Sequence, residues 1–218
     1  ARAAADAVGE FYVFLREYAA VREGRQATLP EAQWKTLLSA FRRSVRSSQD
    51  PFQQAVYVIV GRCDIEWSHP LVVETAQDFC WLRLALVRPA GSPAYPALFS
   101  AQDYSLADLQ ETLVSYGAEH FAPRGTNQLL YFQVLLLSEQ YERAVRYLSS
   151  VPAYAADAVH FAAVISYAKL LPSKAQAGDG GLDVAGLVSG YVQSFAHSNP
   201  GAAMAYLKLV PAASERLE

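Results

Sequence analysis

The segment from Gln128 to Leu148 constrains the fold more than any other part of the chain. It begins with Gln128-Leu-Leu-Tyr-Phe-Gln-Val-Leu-Leu-Leu137, an almost wholly apolar run. A polar break, Ser138-Glu-Gln140, leads into Tyr141-Glu-Arg-Ala-Val-Arg-Tyr-Leu148. In this second half Tyr141, Ala144, Val145 and Leu148 fall at i, i+3, i+4 and i+7, one face of an amphipathic helix. A buried helix, a tight turn and a half-exposed helix make an αα-hairpin. Such hairpins are the unit of helical solenoids, which work through contact with other proteins. The segment points away from an enzyme.

The chain has 218 residues, enough to bury roughly 70% of its unfolded surface in a core. With 52% hydrophobic and 18% charged residues and a formal net charge of −3, it has a globular composition. That balance offers no bulk electrostatic attraction for nucleic acid. Cys63 and Cys80 are too few and too separated for a disulfide scaffold and fit a reducing compartment. The opening Ala-Arg-Ala-Ala-Ala-Asp-Ala-Val has no continuous apolar core behind it and does not read as a signal peptide. Both ends run in helical sequence, so the chain reads as an interior fragment of something longer. The weakly polar stretch from Ala153 to Leu171 contains Asp157, His160 and Lys169 and is expected to be a buried or half-buried helix, not a membrane span.

Helical punctuation recurs along the chain. Val8, Phe11, Tyr12, Leu15 and Tyr18 predict one apolar face in the first segment. Thr28, followed by Leu29, Pro30 and Glu31, predicts a helix start, and Trp34, Leu37, Leu38, Phe41 and Val45 form the stripe behind it. Asp50-Pro51 opens another helix. The β-branched run Ala55-Val-Tyr-Val-Ile-Val60 has the local propensity of a buried strand as much as of a helix, and the Asp50-Pro51 start decides for helix. Val72 to Val87 reads as a helix buried on more than one side, with Phe79, Trp81 and Leu82 filling its other faces. Ser105 is expected to cap a helix carrying Leu106, Leu109, Leu113 and Tyr116, which Gly117 ends. Loops are expected near 88–104 and 172–182. The fold class is therefore all-α, read as a single helical fragment over 1–218, without a fixed repeat period.

A search for chemistry finds little. His69, His120, His160 and His197 lie in different segments, and there is no CxxC or HExxH spacing, so no metal site and no cofactor are expected. Ser166-Tyr-Ala-Lys169 matches S-x-x-K formally, but its companion elements are missing. Asp179-Gly-Gly181 lacks the further acidic ligands of a calcium loop. Catalytic residues are expected to be none. One cationic group stands out: Lys35, Arg42, Arg43 and Arg46 crowd one helix. Cations near a helix C-terminus suit the macrodipole, which makes a solvated face the simpler reading. If the group binds anything, an acidic protein surface fits better than nucleic acid.

Several runs resemble a known family. Asp50-Pro-Phe-Gln-Gln-Ala-Val-Tyr-Val-Ile-Val-Gly-Arg-Cys-Asp64 is similar to a stretch of the nucleoporin-interacting component family, the large helical scaffold nucleoporins of the nuclear pore inner ring. The resemblance continues in order through Gln77-Asp-Phe-Cys-Trp-Leu-Arg-Leu84, Tyr116-Gly-Ala-Glu-His-Phe121 and Leu130-Tyr-Phe-Gln-Val-Leu135. It then takes in Ala158-Val-His-Phe-Ala162, Ser198-Asn-Pro200 and Ala205-Tyr-Leu207, spanning roughly Phe11 to Val210. The resemblance implies an irregular α-solenoid of stacked antiparallel helices, the ancestral coatomer element type. It further implies a scaffold in the nuclear pore complex at the nuclear envelope, supporting nucleocytoplasmic transport without enzymatic activity or cofactor. Implied partners are other inner-ring nucleoporins, including large α-solenoid nucleoporins and a small membrane-associated linker nucleoporin. Recruitment of the central-channel coiled-coil trimer belongs in that family to an N-terminal segment outside this sequence. The alternative is a tetratricopeptide-like or vesicle-coat-like adaptor, because Ser138 to Ala144 resembles the turn and second helix of a tetratricopeptide. No second copy follows about 34 residues away.

Overall fold

The structure is a computed structural model that describes residues 11–20, 23, 29–88, 104–171 and 181–209. Among these residues the regular structure is helical and contains no strand. They fall into two compact units, divided between Thr112 and Leu113.

In the first unit, residues 11–20 form α1. Glu31–Arg43 form α2, Pro51–Gly61 α3 and Ala76–Leu86 α4. A short 3-10 turn, Val45–Ser47, follows α2. The α2 stripe lies where periodicity places it, with Trp34, Leu37, Leu38 and Phe41 buried. Its start differs in detail: Pro30 occupies the N-cap, and Thr28 lies outside the described residues. Phe11, Phe14 and Tyr18 pack α1 against the core of Leu29, Trp34, Leu37, Leu38 and Val60. Tyr12 and Leu15 are exposed, so the face predicted for this segment is rotated; Val8 lies outside the described residues. Both stripes are apolar at helical spacing, and only packing chooses between them.

Helix α3 settles the Ala55–Val60 ambiguity. Asp50 Oδ1 accepts from the backbone N–H of Phe52 at 2.9 Å and of Gln53 at 3.2 Å, with Pro51 in the first turn. This cap satisfies donors that a strand start would leave to other partners. Ala55, Val58 and Val60 are buried, so packing overrides β propensity. At the far end Trp34 Nε1 donates to Gly61 O at 2.8 Å within the core. A Cβ on Gly61 would stand 2.7 Å from Cys63 Sγ and 3.4 Å from Leu37 Cβ, so the helices approach on bare backbone there.

The helix predicted from Val72 begins later. Thr75 and Asp78 form a capping box that sets the start at Ala76, and Val72 and Val73 lie in the preceding turn, both donating to His69 O at 2.9 Å. Cys80, Leu82 and Leu86 are buried but Trp81 is exposed, so this helix is not buried on all the faces expected. Of the two predicted loops, residues 89–103 and 172–180 lie outside the described residues. The ends of the first are tied, Arg88 N donating to Tyr104 O at 3.0 Å.

Leu106–Phe121 form α5. Ser105 caps it as predicted: Asp108 N donates to Ser105 Oγ at 3.2 Å, and Ser105 N donates back to Asp108 Oδ2 at 2.8 Å. Gly117 breaks the helical backbone with φ 69° and ψ 172°, a region open essentially to glycine alone, although a helical turn resumes behind it.

The second unit contains the hairpin. Gln128–Leu137 form α6, Tyr141–Ser150 α7, Ala155–Tyr167 α8, Val184–Gln193 α9 and Pro200–Leu209 α10. Between α6 and α7, Glu139 adopts the left-handed conformation at φ 61°. Gln140 N donates to Leu135 O at 2.9 Å and Glu139 N to Leu136 O at 3.1 Å, the paired bonds of a Schellman turn. The polar break is itself interior: Ser138 is 1% and Gln140 8% exposed, with Ser138 Oγ donating to Val134 O at 2.9 Å. Gln140 Nε2 donates to Ser138 Oγ at 3.0 Å, so these buried polar groups are mutually satisfied. Ala144, Val145 and Leu148 form the buried face of α7.

The stretch from Ala153 is a 3-10 turn followed by α8, and the chain bends by 113° between α7 and this helix. No single helix among the described residues is long and apolar enough to cross a membrane. Ala158, Val159, Ala162, Ala163 and Ile165 of α8 are buried, and Val159, Ala162 and Ile165 share a core with Val145, Val184, Val188, Val192 and Ala203.

Candidate interaction surface

The cationic residues singled out in the sequence sit on the outer side of α2 and the 3-10 turn beyond it. Amphipathicity puts them there: Trp34, Leu37, Leu38 and Phe41 claim the inner face, which leaves Lys35, Ser39 and Arg42 on the outside. Arg42, Arg43 and Arg46 are exposed, whereas Phe41 and Val45, interleaved with them, are buried. All three arginines are thus exposed, two in the last turn of α2 and one in the 3-10 turn beyond it. Lys35, about two turns back, is engaged elsewhere, its Nζ lying 2.5 Å from Glu31 Oε1 in an i, i+4 pair.

The carbonyls at this helix end accept from uncharged donors. Ser44 N and Oγ both donate to Ala40 O, at 3.1 and 3.2 Å. Ser47 Oγ donates to Ser44 O at 3.3 Å, and Gln54 Nε2 donates to Arg46 O at 3.2 Å. The macrodipole also favours cations at this helix end.

The other residues weighed for chemistry are separated or structural. Burial pushes the Cys63 thiol up to about 12, outweighing the opposite pull of the Arg42 charge. Burial likewise pushes Cys80 up to about 11. Both are free thiols held in the protonated, unreactive form. His69 Nδ1 accepts from Leu71 N at 3.2 Å, and His120 stacks on Tyr116 at 4.8 Å. His160 Nε2 and Tyr206 Oη are 2.9 Å apart. Among the described residues no group of three or more His, Cys, Asp and Glu is placed to hold a metal ion. The S-x-x-K match is a helix terminus: Lys169 is left-handed at φ 56°, Lys169 N donates to Ser166 O at 3.0 Å and Leu170 N to Ile165 O at 3.1 Å. Of the Asp179-Gly-Gly match, only Gly181 is among the described residues.

Two features escape sequence reasoning. Arg62 takes the left-handed conformation after α3 and donates from Nη2 to the carbonyls of Leu86 and Tyr104, tying three segments of the first unit together. The resemblance marks the Gly61-Arg62-Cys63-Asp64 run, but no spacing rule exposes the tie. The second is the outer side of α8, where Phe161, Val164 and Tyr167 are 39%, 64% and 76% exposed. An apolar outward stripe opposite a buried one is the available signal, and the exposure fits the half-buried helix expected for this stretch.

Comparison with known proteins completes the picture. A family model described as Nup93/Nic96 matches residues 2–216. The nuclear pore complex protein Nup93 of Danio rerio is 36% identical over 168 residues, 75% of this chain and 19% of that protein. The meiotically up-regulated gene 87 protein of Schizosaccharomyces pombe is 36% identical over 165 residues, 74% of this chain and 18% of that protein. The chain thus spans about a fifth of the length of these curated relatives. The crystal structure of Chaetomium thermophilum Nic96 SOL matches with a TM-score of 0.72 at 27% identity, covering 92% of this chain and 30% of that one.

Proposed function

The chain belongs to the Nup93/Nic96 family, and on that premise we propose that it is a scaffold segment of the nuclear pore complex, acting at the nuclear envelope by linking other nucleoporins. The observation that carries the reading is the agreement of sequence and fold over the same length: the family match covers residues 2–216, and the helical architecture matches the Nic96 solenoid over 92% of this chain. Helical stacks present long side-chain surfaces for protein contact and have no need of a buried reaction centre. The segment is accordingly non-enzymatic, and it works as one joint of an irregular α-solenoid over 1–218. Its partners are other inner-ring nucleoporins, including large α-solenoid nucleoporins and a small membrane-associated linker nucleoporin. The interior placement of Ser138, Gln140 and Ala144 supports a packing role for the hairpin over a docking role.

Affinity capture tests this. The tagged 218-residue chain is incubated with nuclear-envelope extract, and bound proteins are identified by mass spectrometry. Recovery of inner-ring nucleoporins is expected. Recovery of vesicle-coat subunits without any nucleoporin overturns the reading in favour of a coat-like adaptor.

A further inference from the structure

We propose that the outer stripe of α8 pairs antiparallel with the same stripe of a second copy of this chain. Phe161, Val164 and Tyr167, spaced i, i+3 and i+6, are 39%, 64% and 76% exposed on a helix that runs Ala155–Tyr167. Large apolar side chains left together in water mark a contact surface. The stripe is mounted on a packed base. The Phe161 ring meets Phe132 of α6 edge-on at 4.8 Å, and Phe132 is 6% exposed. Ala158, Ala162, Ala163 and Ile165 of the same helix are buried, so the element that carries the stripe is held in the core of its unit. A fixed base lowers the ordering cost of association.

The order of residues along the stripe selects a second copy. Asp157 stands one turn before Phe161, and Lys169 lies just past the C-terminal end of the helix; both are exposed. Among the described residues neither takes part in an ion pair. Between them stands no Asp, Glu, Lys or Arg. Acid, Phe, Val, Tyr, base is its own complement when reversed. A two-fold axis at Val164 sets that residue against its copy, and sets Phe161 against the second copy's Tyr167 twice over, as an isologous contact requires. Aromatic pairs of this kind add to the burial. Asp157 then falls opposite Leu171 of the second copy, two residues from its Lys169. That offset is about 3 Å along the helix axis, and the lysine side chain spans it. An anionic membrane is disfavoured, because helices that lie on lipid carry Lys and Arg beside the apolar face, whereas Asp157 opens this one. One helix per copy is a small contact, in the weak class below about 1,200 Å², so the dimer forms and dissociates with concentration.

The test is sedimentation equilibrium of the 218-residue chain over a concentration series. A reversible monomer–dimer equilibrium is expected, and Val164→Arg should abolish it by setting two cations on the axis. Asp157→Lys alone, or Lys169→Asp alone, should weaken the dimer roughly ten-fold, since each turns two attractions into repulsions. Combined, they restore the pairs in reverse, and the dimer should return to within about three-fold of the parent. A sticky patch without this register shows no such rescue. Asp157 sits in the first turn of α8, where a lysine opposes the macrodipole. If that variant melts early, Asp157→Asn and Lys169→Gln carry the test. Each should weaken the dimer about three-fold, and their combination no further, because both remove the same pair. In the full-length protein, bismaleimide should cross-link Val164→Cys to a second copy, with the parent chain as the blank. A chain that stays monomeric up to about 1 mM, a dimer that survives Val164→Arg, or a failed rescue overturns the proposal. So does flotation of the monomer with phosphatidylserine vesicles. So, too, does a Val164→Cys that no thiol reagent reaches in the full-length protein, because the rest of its own chain then covers the stripe. Self-pairing does not depend on the scaffold reading: failed nucleoporin capture leaves it standing, and a monomeric chain leaves the scaffold reading standing.

Discussion

Replacing Ala144 by Leu tests the packing of the hairpin directly. Ala144 is 0% exposed, follows the Schellman turn, and donates its N–H to Gln140 O at 2.9 Å in the first turn of α7. The other residues of its helix face, Val145 and Leu148, are also buried, so little free space borders the site. Leu adds three carbon atoms there. Its helix propensity is close to that of Ala, so the backbone contributes almost nothing to the change. Were there room, the added carbons would stabilise by hydrophobic burial, at about 0.8 kcal/mol per methylene. In a filled core the same carbons force shifts that cost about 1–3 kcal/mol. For a chain of 218 residues, each kcal/mol corresponds to about 2–4 °C in Tm, so the expected fall is roughly 2–12 °C. Thermal unfolding followed by far-ultraviolet circular dichroism reads this. Ala156→Leu, at an exposed position of α8, is the matched control and should stay within about 0.5 kcal/mol of the parent. An Ala144→Leu protein that melts at or above the parent temperature refutes the tight approach.

Other expectations follow from local geometry. Lys169→Gly removes a side chain from a left-handed residue, and the relief of strain outweighs the extra freedom of the unfolded chain; a gain of about 0.5–1 kcal/mol is expected by urea denaturation. Cys63 and Cys80, with thiols pushed up to about 12 and about 11, should react with a disulfide reagent at pH 8 only slowly while folded and quickly in denaturant. Fast labelling of the native protein contradicts the raised thiols. Asp108 is held below the ordinary carboxylate value by the Ser105 side-chain and backbone bonds. A lowered folded pKa gives stability that is present above the unfolded value of about 3.9 and lost as pH falls through the folded one. Asp108→Asn should therefore melt below the parent at neutral pH, with the difference shrinking below about pH 4. A constant difference down to strong acid rejects the capping account.

Two helix starts with chemical signals were legible in the sequence, while the Thr75 and Asp78 capping box was missed. Asp50-Pro51 and Ser105 are caps that any helix start needs, and both act as such. The hairpin was legible because α7 has a clean amphipathic period, while Ala55–Val60 required the Asp50 cap to decide against its own propensity. Residues that depend on distant partners were harder. Tyr12 and Phe14 both lie on plausible apolar stripes of α1, and only contact with α2 and α3 selects Phe14. Trp81 looked like core by composition and is exposed. The cationic residues were visible in the sequence, but the bonds that Ser44, Ser47 and Gln54 make to the carbonyls around them form only in the folded unit.

The scaffold reading is tested most directly by location. A fluorescent tag is placed on the full-length protein at its own locus, and its position is imaged with a pore marker. The account predicts a punctate nuclear rim coincident with the marker, persisting through interphase. A diffuse signal, or one on transport vesicles without rim enrichment, would contradict it.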